Sequence, residues 1–224
     1  MFRITDTVKH LILINVVMFL GTQMLMGDPS VEALNRLISG SDYTFGSWNR
    51  YMLAMFYPGS EFFRPFQLIT HMFMHADIGH LFFNMFALYM FGTALESVWG
   101  MRRFLIFYFL SGFGAMLLYL FVKYIEMNYL GAPAYLENVP MLGASGAVFG
   151  LLAGFGFMFP ESRIMLLIPP IPMKAKYFVL IYGAIELFLG VSGISSGVAH
   201  FAHVGGALCG FLLLLYWRKS GNLY

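Results

Sequence analysis

Six polar side chains interrupt long apolar runs: His80, Asn84, Ser145, Glu186, His200 and His203. A serine and a neutral imidazole are the parts of a nucleophile and its general base, while an amide and a further imidazole can donate hydrogen bonds to a developing oxyanion. Ser145 sits in Gly143-Ala-Ser-Gly146, where small neighbours leave the hydroxyl accessible. A helix that begins at this serine offers free backbone N–H groups and the positive end of its dipole. His200 and His203 are three apart and share a helix face, and Gly205-Gly206 allows the closest helix approach beside His203. His203 is therefore the expected base and His200 a secondary candidate. His80 and Asn84, at i and i+4, point the same way and could stabilise negative charge.

Each of these residues also has a plainer reading. Serine in a glycine-rich helix is packing material, and Gly146, Gly150 and Gly154 with Gly206 and Gly210 form small-xxx-small seams. Those seams would also bring Ser145 and His203 together. Paired histidines at a membrane interface can be satisfied by water. A metal site drawing on His71, His75, His80, His200 and His203 is an alternative, without a His-Glu-x-x-His motif or a cysteine cluster behind it. No metal or other cofactor is expected. Glu186 falls near the middle of an apolar run with no evident partner, whereas Glu96 lies near Arg102 and Arg103, where a structural role fits.

The elements that must position these groups are membrane spans. Of the 224 residues, 59% are hydrophobic and 11% charged, against about 25% charged in an ordinary soluble domain. A net charge of +2 gives no reason to expect nucleic acid, and one cysteine excludes an internal disulfide framework. Apolar runs at 11–26, 81–98, 104–122, 142–159, 177–193 and 198–217 predict six transmembrane helices in an all-α integral membrane protein, organised as one domain over residues 1–224. Lys and Arg prefer the cytoplasmic ends of spans. Starting inside collects nine basic residues on that face against four outside, which places both termini in the cytoplasm. The second, fourth and sixth spans then run inward, so His80, Asn84, Ser145 and His203 share the outer half of the bilayer.

Between the first two spans, residues 27–80 read as an interfacial loop. Its segments 31–38 and 48–57 have the composition of short helices lying in the headgroup zone, where Trp48, Tyr51, Phe56 and Tyr57 would sit.

Three segments together carry a resemblance. His75-Ala-Asp-Ile-Gly-His80-Leu-Phe-Phe-Asn84, Gly143-Ala-Ser-Gly146 and Ala199-His200-Phe-Ala-His203-Val-Gly-Gly206 resemble, in order and spacing, the signature of rhomboid intramembrane serine proteases. The resemblance covers residues 66–209. It implies a six-helix rhomboid-like bundle in which Ser145 is the nucleophile, His203 the base, and His80 and Asn84 the oxyanion-stabilising pair. Two positions depart from the family pattern. Phe66-Gln67 stands where many members have Trp-Arg, and Phe149 stands where some place a tyrosine against the catalytic histidine. Phe149 is expected to keep the ring contact and lose the hydroxyl.

The expected activity is an endopeptidase cleaving transmembrane segments of other membrane proteins near their extracytoplasmic ends. No carboxylate is evident to orient His203, so a Ser-His dyad is expected, and the resemblance implies that substrate enters from the lipid bilayer beside the fifth span. Residues 190–197, uncharged and rich in Gly and Ser, suit a movable cap there. The alternatives are a catalytically inactive rhomboid-like binder of membrane helices and a small transporter using Glu186 and the histidines as a proton relay. A bacterial inner membrane is the expected location, since no Arg- and Ser-rich transit segment precedes the first span.

Overall fold

A computed structural model of the chain describes residues 3–26, 50–165, 171–192 and 199–221. Helices dominate. Helix α1 spans Asp6–Leu25, and its 20 residues reach about 30 Å, the thickness of a hydrocarbon core. A short helix α2, Gln67–Thr70, runs into a 3₁₀ turn at His71–Phe73. Helix α3, Ile78–Ala87, starts where Asp77 accepts the His80 backbone N–H at 2.8 Å, a side-chain cap on an otherwise orphaned donor. It continues through a π turn at Leu88–Gly92 into α4, Thr93–Tyr129. Gly100 breaks that run with φ 71° and ψ 168°, a left-handed conformation that residues with a Cβ rarely adopt. The apolar runs predicted at 81–98 and 104–122 fall on the two sides of this break.

Helix α5, Ser145–Met158, has 14 residues and therefore spans about 21 Å, shorter than the expected run of 142–159. After it come two three-residue antiparallel strands, β1 (Arg163–Met165) and β2 (Pro172–Lys174), a small departure from an all-α expectation. Glu161 beside the hairpin pairs with Lys174 at 2.6 Å and also with Lys176, and both lysines hold its carboxyl well below the usual carboxylate range. Helices α6 (Ala175–Ser192) and α7 (His200–Lys219) complete the chain. Among the described residues, four stretches are long and apolar enough to cross a membrane: Asp6–Leu25, Ile78–Tyr129, Ala175–Ser192 and His200–Lys219. The chain is a multi-pass integral membrane protein.

The chain divides into two compact units. The first comprises residues 1–10, 84–119 and 145–224. Small residues set its helix approaches. A Cβ built on Gly150 would stand 2.3 Å from the Ser111 Cβ, and one on Gly114 would stand 2.3 Å from the Cys209 Cβ. Glu96 caps the start of α1 within this unit, accepting the backbone N–H groups of Thr7 at 3.2 Å and Val8 at 3.0 Å and the hydroxyl of Thr5.

The second unit comprises residues 11–83 and 120–144. Gln67, wholly buried, is its staple: the amide donates to the carbonyls of Met52 and Phe62, both at 2.9 Å, and accepts from the backbone N–H of Arg64 at 3.1 Å. His71 donates from Nδ1 to the Gln67 carbonyl at 2.7 Å, and burial holds it down to about 4, so its ring is neutral at neutral pH. Met55 pairs with Met141 through reciprocal 2.8 Å backbone bonds. Of the segment read as interfacial at 48–57, residues 50–57 are described. Arg50–Leu53 is a single 3₁₀ turn, and Phe56, expected among headgroups, is fully buried against Phe62. The predicted segment 31–38, Trp48 and most of the proposed cap at 190–197 lie outside the described residues.

Candidate active site

Ser145 is the first residue of α5, and the chain reaches it through Gly143, whose φ of 128° lies outside the range of ordinary L residues. The preceding turn is tied down by a 2.9 Å bond from the Gly143 N–H to the His71 carbonyl. The serine is half-buried and opens the helix, so its hydroxyl projects beside unsatisfied backbone donors.

His203 stands in the first turn of α7, with Nε2 3.0 Å from Ser145 Oγ. Its other nitrogen, Nδ1, lies 2.9 Å from Glu186 Oε2. The same carboxylate oxygen is 2.7 Å from Nδ1 of His200. Glu186 is the one strongly polar residue that α6 buries; Ala175 is the helix's other buried residue, and long apolar side chains such as Leu180, Phe188 and Val191 face outward. A carboxylate therefore stands within hydrogen-bond distance of the histidine for which the sequence offered none. Hydropathy could flag Glu186 as out of place, but its partner depends on how α6 is rotated about its axis, and an apolar helix in lipid carries no amphipathic stripe to reveal that.

Phe149, one turn into α5, stacks on the His203 ring with centroids 4.2 Å apart and planes 4° from parallel. Tyr182 of α6 stacks on Phe149 at 5.2 Å. These face contacts fix the plane of the imidazole while its two nitrogens are held edge-on by hydrogen bonds. His200 makes no bond to the serine among those described: its Nδ1 meets Glu186 and its Nε2 has no hydrogen-bond partner among the described residues.

His80 and Asn84 lie one turn apart on α3, His80 partly exposed and Asn84 buried. The Ala76 backbone N–H donates to His80 Nδ1 at 3.3 Å. An acceptor at Nδ1 leaves the proton of a neutral ring on Nε2, where it can be donated onward. The His75 ring packs edge-on against His80 at 5.1 Å. Burial, foremost, lowers His75 to about 3, which keeps it neutral at neutral pH.

Glu186, His200 and His203 also offer three ligand-type atoms within 4.8 Å of one another, the group among the described residues able to hold a metal ion. None of His71, His75 and His80 belongs to it, so the five-histidine alternative is not assembled as a metal site. Spacings of 2.7 and 2.9 Å are those of shared protons. An ion would sit about 2.0–2.2 Å from each donor atom.

The family model for the Rhomboid domain matches residues 62–220. The chain is 32% identical over 161 residues to rhomboid protein 1, mitochondrial, of Saccharomyces cerevisiae, covering 68% of this chain and 42% of the relative. It is 35% identical to RHOMBOID-like protein 6, mitochondrial, of Arabidopsis thaliana, covering 69% of this chain and 45% of that protein. It is 28% identical to the rhomboid protease AarA of Providencia stuartii, covering 75% and 55% respectively. The chain thus spans about half the length of these curated relatives. Mitochondrial proteins stand first among them, so the expected bacterial inner membrane has no support from this side.

Proposed function

The chain belongs to the rhomboid family, and from that premise we propose that it is an intramembrane serine endopeptidase cleaving transmembrane segments of other membrane proteins. The observation that carries this reading is the 3.0 Å contact between Ser145 Oγ and His203 Nε2, a nucleophile within hydrogen-bond reach of its base. His203 removes the serine proton as Oγ attacks the scissile carbonyl. His80, Asn84 and the Ser145 backbone N–H receive the negative charge of the tetrahedral intermediate. His203 then gives its proton to the leaving amine, and water, activated by the same imidazole, releases the acyl-enzyme.

In this reading six segments traverse the bilayer, both termini face the cytoplasm, and cleavage occurs near the extracytoplasmic surface. The basic-residue asymmetry supports the orientation. Helix α5, although short, is buried along most of its length and needs no lipid contact to be stable at membrane depth. The outward-facing apolar side chains of α6 suit a helix beside which a lipid-embedded substrate enters. The substrate must unwind locally before attack, because helical backbone carbonyls are already hydrogen-bonded.

The test is cleavage of a fluorescent transmembrane substrate by the purified protein in liposomes. Wild type is expected to cut, and Ser145→Ala and His203→Ala are expected to be inactive. Cleavage persisting in Ser145→Ala would remove the proposed nucleophile, and wild type that binds the substrate without cutting would identify a binder instead.

A further inference from the structure

A carboxylate is costly to place within a membrane-spanning helix, so the burial of Glu186 at 5% exposure calls for compensation. It is supplied at a single oxygen, which receives both His200 Nδ1 and His203 Nδ1. An ionised carboxylate accepts and cannot donate, so each Nδ1 must carry a proton. For a neutral His203 this leaves the lone pair on Nε2, the atom facing Ser145 Oγ. The opposite tautomer would aim an N–H at the serine and could not take its proton.

We infer that Glu186 is a positioning residue that extends the Ser145–His203 pair into a three-member hydrogen-bonded chain, with His200 bracing the carboxylate. The inference rests on reading Ser145 and His203 as nucleophile and base. Glu186 holds His203 in the productive tautomer and lies beside the imidazolium that forms when the serine proton is transferred. No proton passes to Glu186. The carboxylate does not touch the reacting atoms, and its effect reaches the serine through one ring. The i, i+3 spacing of the histidines turns both Nδ1 atoms toward the same side of α7, so His200 clamps the oxygen that His203 needs. This also explains a histidine buried to 6% whose Nε2 has no hydrogen-bond partner among the described residues: it is held there by its other nitrogen.

The experiment compares wild type, Glu186→Gln, Glu186→Asp, His203→Ala and Ser145→Ala, reconstituted as full chains with a fluorescent transmembrane substrate. Glu186→Gln is expected to lower kcat by about 10²–10⁴, the scale of carboxylate-to-amide change in soluble triads, with KM unchanged. The rate at which a small fluorophosphonate modifies Ser145 should fall by a similar factor, since that reaction needs no helix binding. Glu186→Asp should recover part of the loss. Histidine side-chain ¹⁵N NMR of the wild type provides a readout that does not depend on any variant's folding, and His203 is expected as the Nδ1–H tautomer. An Nε2–H tautomer, or Glu186→Gln with wild-type kcat and labelling rate, would overturn the inference while leaving the serine mechanism in place. If Ser145→Ala still cleaves, the underlying reading fails first, so the two failures are distinguishable.

Discussion

Gly206 approaches Gly146 so closely that a Cβ added to Gly206 would stand 1.9 Å from the Gly146 carbonyl oxygen. Helices α5 and α7 therefore meet backbone to backbone one residue after Ser145 and three after His203. That contact sets the 3.0 Å distance between hydroxyl and imidazole. The clash of a Cβ added at Gly206 cannot be relieved by rotating a side chain, because the atoms it meets are main chain.

Gly206→Ala should consequently force the two helices apart. Overpacking of this kind costs about 1–3 kcal/mol, and activity should fall at least tenfold because even a 1 Å displacement separates the reacting pair. Gly183 is the control: a Cβ there meets nothing within 4 Å. Gly183→Ala should keep full activity and gain up to about 1 kcal/mol from helix propensity. Thermal unfolding in detergent and specific activity, measured together, check both.

Glu96 illustrates a carboxylate with a purely structural assignment. Its bonds run to the opening turn of α1, not to Arg102 or Arg103, and satisfy two of the donors left free at a helix start. Glu96→Ala should lower the unfolding midpoint, at a cost of about 1–3 kcal/mol for stranded buried donors, while activity per folded molecule stays within twofold of wild type. A fall in activity without a fall in stability would contradict the assignment.

His200→Ala should be milder than His203→Ala. The first removes one of two bonds to Glu186 and should cost about tenfold in kcat. Loss of the base itself should cost about 10³-fold or more. If the order were reversed, His200 would be the base.

Chelation separates shared protons from a bound ion at Glu186, His200 and His203. Dialysis against EDTA should leave cleavage unchanged. Activity that is lost and then restored by added zinc would make the trio a metal centre and change the role of His203.

The pairing of Ser145 with His203 was legible in the residues because both are conspicuous polar intrusions in apolar runs flanked by small residues. Gly206 and Gly210 likewise announced a close helix contact. Glu186 was visible as an anomaly, but its partners were not, since rotation about the α6 axis leaves no trace in a helix apolar on every face. The break at Gly100 was hidden for a related reason. Both sides of it are helical in pattern, and only the backbone angle shows that the chain turns. Phe56 misled in the opposite direction: aromatic composition suggested the headgroup zone, yet the ring is enclosed by its own loop.

The most direct test of the central claim is site mapping of a fluorophosphonate adduct by mass spectrometry on the folded wild-type protein, with His203→Ala alongside. Modification confined to Ser145 in wild type, and slowed about 10³-fold or more in His203→Ala, is the predicted result. A substrate-cleaving wild type in which Ser145 stays unmodified while another residue takes the label would contradict it.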